Sequence, residues 1–417
     1  MSPLTKTWWA ITAAIILLSV SYATAAEKEK KNPVTQYWMS IATQNTSIPG
    51  MPQEELSGLG GMLLGKMAGI GPKRSLILQL SSPRTLPAEP EASHDIPPGM
   101  NMGETLPLMI LKREAPVRGG ETGEKAEMEK PKARMLMYWG CAETVQPGQP
   151  KVLDTEKMNT VDFGKAMMGR SGSAQSPPSP RAGWAYAEWP DKTNFQGIPK
   201  DSSLVGNHFI HGNFTPDIKF AVDERHDFMA PVEFTAVKGG LADSIKFQWK
   251  KIPTALGYFA MAMGYNEQTG ETIIWSSSEV QEPGYGLMNY LAPADVGRFI
   301  KGKVIMGPEA TTCSIPKGIF KEGKGAMLQF IGYGEELNIA YPPKPKGSSK
   351  PHEYIWALKL RDKSTGMLPL GQEEGTGERA TKGSRPQKDE QPAEGDSGSV
   401  VDKMKGTLDK MKGRFKF

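Results

Sequence analysis

The chain has 417 residues, with 50 Lys and Arg against 46 Asp and Glu and a formal net charge of +4. So small an excess of positive charge gives no argument for nucleic acid as a partner. Hydrophobic residues make up 38%, and 46 Gly with 34 Pro interrupt them often, which excludes a wholly disordered chain and favours short strands and turns over long helices.

Lys6 precedes an uncharged run from Trp8 to Val20, and Ala23, Thr24 and Ala25 follow it. A positive start, an apolar middle and small residues at the end predict a signal peptide over 1–25, cleaved after Ala25, and a mature protein in the periplasm or outside the cell. The apolar run is shorter than the roughly 20 residues that a membrane-spanning helix needs. An uncleaved anchor drawn from Thr7 to Ala26 is the alternative. No cysteine lies near the cleavage region, so lipid attachment is not expected there. The patch from Gly58 to Gly71 has Gly61, Gly65 and Gly69 at GxxxG spacing, and Gly60 with Gly65 and Lys66 approximates a phosphate-binding loop. Met67 stands where that loop needs Ser or Thr and no strand precedes the glycines, so a nucleotide site is rejected.

Short apolar or alternating runs at 75–80, 106–112, 133–141, 204–210 and 217–222, bounded by Pro, Gly, Ser and Asn, predict strands of a β-rich first domain over 34–225. Two low-complexity insertions, 113–132 and 170–183, are too polar and too rich in Gly and Pro to build a core and are expected to be mobile loops. Just after the second come Trp184, Tyr186 and Trp189, a cluster suited to stacking on sugars or anchoring a protein partner, with coverage of the domain edge as the structural alternative. Cys141 and Cys313 are the only cysteines; they form one disulfide in an oxidising compartment, or two separately buried thiols if their domains hold them apart.

A second β-rich domain is expected over 226–370. Ile245, Phe247 and Trp249 alternate on one strand face, and Ile252, Pro253 and Gly257 mark a turn before the run from Tyr258 to Met263. Residues 244–264 thereby resemble the first half of fibronectin type III and immunoglobulin-like sandwiches, which implies a two-sheet module used as a spacer or for binding. Residues 94–108 (HDIPPGMNMGETLPL) and 134–154 (RMLMYWGCAETVQPGQPKVLD) are similar to phrases in uncharacterised exported proteins of Gram-negative bacteria, a resemblance that implies no activity. Beyond these domains, 371–400 reads as a disordered linker. Val401, Met404, Leu408, Met411 and Phe415 then fall at helical spacing in a basic tail, 401–417, expected as a short amphipathic helix in peripheral contact with a membrane or a partner, or else as a frayed end.

Catalytic signals are sparse. His208 and His211 would converge on a metal from a helix, but their surroundings read as strand, where positions three apart point to opposite sides. His226 lies among Asp223, Glu224 and Asp227, and paired carboxyls such as Glu335 with Glu336 or Asp223 with Asp227 have the chemistry of a glycosidase, without a spacing that sequence fixes. No cofactor and no metal is expected. The chain reads as a mainly β, exported, non-enzymatic envelope protein that binds a protein partner or a surface polysaccharide. A hydrolase of envelope polysaccharide or peptide is the alternative.

Overall fold

Alternation decides the faces of the first strand: Tyr37, Met39 and Ile41 are wholly buried, while Gln36, Trp38 and Ser40 point to the opposite side. The computed structural model describes residues 34–47, 71–111, 134–173, 176–190, 197–347 and 352–371. The expected leader (1–25), the glycine patch up to residue 70, the insertion 113–132, the linker from 372 and the tail 401–417, with Val401, Met404, Leu408, Met411 and Phe415, lie outside the described residues.

The chain is mainly β. It runs through β1 (Thr35–Thr46), β2 (Gly71–Ser82), β3 (Ala92–Asp95), β4 (Thr105–Pro107), β5 (Met109–Ile110), β6 (Arg134–Trp139) and β7 (Lys151–Asp154). Helix α1 (Thr160–Met168) follows, capped by the Asn159 side chain, and then come β8 (Ala185–Trp189), β9 (Gly206–Gly212) and β10 (Ile218–Val222). Next are β11 (Phe234–Lys238), β12 (Ile245–Trp249), β13 (Gly257–Asn266) and β14 (Glu271–Ser276). Helix α2 (Pro293–Lys301) precedes β15 (Thr312–Ile315) and two long strands, β16 (Ala326–Tyr341) and β17 (Trp356–Leu370).

Ten strands form one sheet in the order β5-β8-β2-β1-β17-β16-β13-β14-β6-β7, while β10-β9-β3-β4 and β11-β12-β15 form two smaller sheets. The first core draws on β1, β2, β3, β8, β9 and β10, reaches Phe228 and is completed by Trp356, Leu358 and Leu360 of β17; the second draws on residues from Met229 to Leu370. The expected boundary at 225/226 therefore falls between two cores. It does not fall between two sheets, because the ten-stranded sheet draws strands from both sides of it. At 16 and 15 residues, β16 and β17 are long enough to serve both: Leu328, Phe330, Leu368 and Leu370 pack in the second core, and Leu337, Ile339, Trp356, Leu358 and Leu360 in or against the first. A bulge between Tyr333 and Glu336 separates the two stretches. The sheet is continuous because β17 pairs in parallel with β1, from Thr35 opposite Trp356 to Thr46 opposite Met367. At the other end, β6 from the first half is added in parallel to β14.

On the outer face of the second half, a third apolar cluster packs Leu291, Val296 and Phe299 of α2 and its approach on Phe259, Met261, Ile274, Ile331 and Tyr333. The loop after α1 is fastened to this layer. The Glu282 carboxylate accepts from the Arg170 backbone N–H at 3.0 Å, and Asp295 accepts from the Ser173 N–H at 2.6 Å. Pro178 is buried and its carbonyl accepts from Gln79 at 3.3 Å. Within the insertion 170–183, expected to be mobile, Arg170, Ser173 and Pro178 thus have partners that composition did not reveal.

Candidate functional site

The residues singled out from sequence are not one cluster. Trp189 is 4% exposed and belongs to the first core; Tyr186, on the other side of β8, is 2% exposed and donates to Glu188 at 2.8 Å. Burial pushes the Tyr186 phenol well up, so it stays a neutral donor. Only Trp184 is accessible, and the Arg181 guanidinium lies over its ring at 3.2 Å. Strand alternation separates Trp189 from the other two.

A different surface gathers functional side chains. The outer face of the first half of the ten-stranded sheet carries none of the three apolar clusters found among the described residues. Register sets two rows across it: Gln79, Trp38, Lys359 and Asn338, then Ile77, Ser40, Arg361 and Glu336. Arg361 donates through Nε to the Ser40 hydroxyl at 2.8 Å, and its guanidinium lies 5.2 Å from the Trp38 ring and 4.2 Å from that of Tyr290. Lys359 lies 5.6 Å from the Trp38 ring and donates to Glu336 Oε2 at 2.6 Å. Asn338 also reaches Oε2, at 3.3 Å, whereas Oε1 of the same carboxylate is buried with no hydrogen-bond partner among the described residues. Beside them Lys363 sits 4.4 Å from the Tyr290 ring; burial, and then the charge of Arg361, bring its amine down to about 8.

Along this face runs an open cleft of 320 Å³ lined by Gln36, Trp38, Asn338, Ala340, Ala357 and Lys359. An indole flank, two amides, an ammonium and a carboxylate next to it make a surface that can stack on a ring and exchange hydrogen bonds with hydroxyl groups. The signal was present in sequence: TQYWMSIA places Trp38 on the polar side of β1, and WALKLRDK places Lys359, Arg361 and Lys363 on one side of β17. What alternation could not say is that those two strands are neighbours.

The other candidates have other partners. His208 and His211 point to opposite faces of β9, the first buried and the second at 3.1 Å from Asp95. His226 pairs with Asp223 at 2.6 Å, and Asp227 accepts from Ser203 and from the backbone of Leu204 and Phe228. Glu335 binds Arg225 while Glu336 binds Lys359, so neither suggested carboxyl pair acts as one unit. Among the described residues no group of three or more His, Cys, Asp or Glu could hold a metal, and no helix is long and apolar enough to cross a membrane. Cys141, just after β6, and Cys313, on β15, do come together: they are bonded, with Cα atoms 5.0 Å apart, which ties the ten-stranded sheet to the three-stranded one. No protein-family model matches the chain, and comparison with curated proteins finds no match.

Proposed function

We propose that the chain is an exported, non-enzymatic envelope protein that binds a surface polysaccharide on the outer face of its large sheet. The observation that carries the reading is the open cleft along the row Gln79, Trp38, Lys359 and Asn338, lined by the Trp38 indole, the Gln36 and Asn338 amides and the Lys359 ammonium. The second half of the chain is read as a fibronectin-like sandwich. Its first, second and fifth strands (β11, β12, β15) make one sheet, and its third, fourth, sixth and seventh (β13, β14, β16, β17) lie in the other, which supports that reading. So does the packing of Trp249 on Tyr258 at 5.6 Å, with the Tyr258 hydroxyl accepting from the Ile252 N–H at 2.9 Å.

The test is binding of purified mature protein to polysaccharide fragments from its own envelope, with fragment length measured before and after. We expect binding without shortening, and a loss of about tenfold or more in affinity for Trp38→Ala, in keeping with a central aromatic contact. No binding by the parent protein, or equal binding by the variant, refutes the reading. Shortened fragments favour the hydrolase alternative. The protein recovered from the envelope is expected to begin at Ala26. Deletion of 401–417 is expected to release it from membranes or a partner, and unchanged fractionation would exclude a role for that tail.

A further inference from the structure

The interior of the first core holds a polar chain that the binding reading does not use. The Tyr37 hydroxyl and His94 Nδ1 are 2.9 Å apart, His94 Nε2 and His208 Nδ1 are 2.9 Å apart, and His208 Nε2 lies 2.7 Å from the Leu204 carbonyl oxygen. Tyr37 and His94 are wholly buried and His208 is 2% exposed, with its ring stacked on Phe220 at 4.9 Å. Tyr37 comes from β1 of the ten-stranded sheet, whereas His94 and His208 come from β3 and β9 of the four-stranded one. The chain therefore bridges the two layers.

Its direction is fixed from one end. A carbonyl oxygen only accepts, so His208 donates through Nε2 and, as the neutral imidazole that burial favours, accepts through Nδ1. His94 then donates through Nε2 and accepts through Nδ1 from the Tyr37 hydroxyl. Three links hold three hydrogens, and both imidazoles are neutral. A fourth hydrogen has no link: either two N–H groups face each other between the rings, or Tyr37 turns to accept and its own hydrogen points into apolar packing. The added charge would also lie in the core without a counter-ion. The ionisable groups on the packed elements have other partners: the buried Asp362 of β17 accepts from the Met229 N–H at 3.1 Å, and Arg74 of β2 lies over the Phe228 ring at 5.1 Å. Asp95 of β3 and His211 of β9 pair with each other, and Lys219 of β10 lies over Phe209 at 4.6 Å. Tyr37 is the group that β1 presents, and its phenol is pushed well up by burial. Burial holds His94 well below the ordinary imidazole value, with His208 as the second cause. Burial likewise lowers His208, against the opposing effect of the Leu204 carbonyl.

We propose that the Tyr37–His94–His208 chain is an acid-sensitive latch between the two layers, and that uptake of one proton releases the four-stranded sheet from β1. The sign follows from linkage. A base that stays neutral in the folded state and ionises in the unfolded one contributes stability that is complete above the ordinary imidazole value. It is lost as pH falls below that value, by about tenfold in the folded-to-unfolded ratio per pH unit for each such histidine.

The test uses the whole mature protein at constant ionic strength, between about pH 7.5 and about pH 5, a range chosen to cross the ordinary imidazole pKa. Hydrogen-exchange protection in β3 and β9 is expected to fall about tenfold or more while β13 and β16 keep theirs. Imidazole signals of His94 and His208 are expected not to titrate at the ordinary value before that opening. Protonation near the ordinary value with protection intact in β3 and β9 overturns the proposal, as does an equal loss across all four strands. A His94→Leu/His208→Leu variant is expected to lose the pH dependence of the thermal midpoint in this range. A folded variant that keeps the full dependence also overturns it, and if the variant does not fold the exchange series on the parent protein decides. None of these readouts involves a polysaccharide, so they are independent of the binding reading.

Discussion

At the scale of single residues, the outer face owes its arrangement to charges held against rings. Lys363 is the clearest case, since its amine is brought down to about 8 from an ordinary 10.5 by burial and by Arg361. The folded state therefore disfavours the charged amine. Between those two values the unfolded chain holds a proton that the folded one has released, so this residue makes stability rise with pH across that window. Lys363→Met is expected to be more stable than the parent near neutral pH by roughly 1–2 kcal/mol, below the full shift because water reaches part of the side chain. The advantage should shrink as pH rises towards 10.5, where the unfolded amine too is losing its proton. Urea denaturation at the two ends of the window checks it; a variant less stable than the parent near neutral pH contradicts it. The facing of each side chain was legible residue by residue. The strands expected from sequence begin only at 75, so β1 is not among them, although its alternation sets Trp38 opposite Tyr37 and that of β17 sets Lys359, Arg361 and Lys363 on one side. Their meeting was not legible, because Ser40 and Arg361 are 321 positions apart and strand pairing leaves no mark in either pattern.

At the scale of elements, the disulfide and the loop after α1 show what composition hides. Cys141 and Cys313 close a loop with a sequence separation of 172, for which the chain-entropy estimate is about 5 kcal/mol of stabilisation. Cys141→Ser/Cys313→Ser is expected to lower the denaturation midpoint substantially, and peptide mapping without reductant should recover the two cysteine peptides joined. Two free thiols in the folded parent protein would refute the pairing. The bond was left open from sequence because a domain boundary was expected between the two positions; β6 crosses that boundary to pair with β14, bringing Cys141 to the edge where β15 lies. The segment 170–183 looked unable to order itself, and the partners that hold Arg170 and Ser173 lie far away in sequence. Glu282 and Asp295, more than a hundred positions away, accept its N–H groups. At Gly169 a Cβ would stand 2.0 Å from Glu282 Oε1, so the entry to this loop needs a residue without one.

At the scale of the molecule, two cores share one sheet. The fragment 226–370 carries the buried residues of the second core, but its last strand, β17, would expose the edge that β1 covers from Thr35 to Thr46. That fragment alone is expected to aggregate or to remain incompletely folded, whereas the full mature chain should unfold in one transition. A soluble, cooperatively folding 226–370 would restore two independent domains. The mainly β class was legible, because burial is written locally in alternating runs such as Ile245, Phe247 and Trp249. The union of the sheets was not, since it rests on a parallel seam between the first and last described strands.

That seam also sets a timetable. Synthesis proceeds from the N-terminus, so β1 is made first among the described strands and its parallel neighbour β17 last. The first core lacks Trp356, Leu358 and Leu360 until nearly all of the globular part has been made. A chain built this way stays incompletely packed while it is being made, and locks only when its final strand arrives.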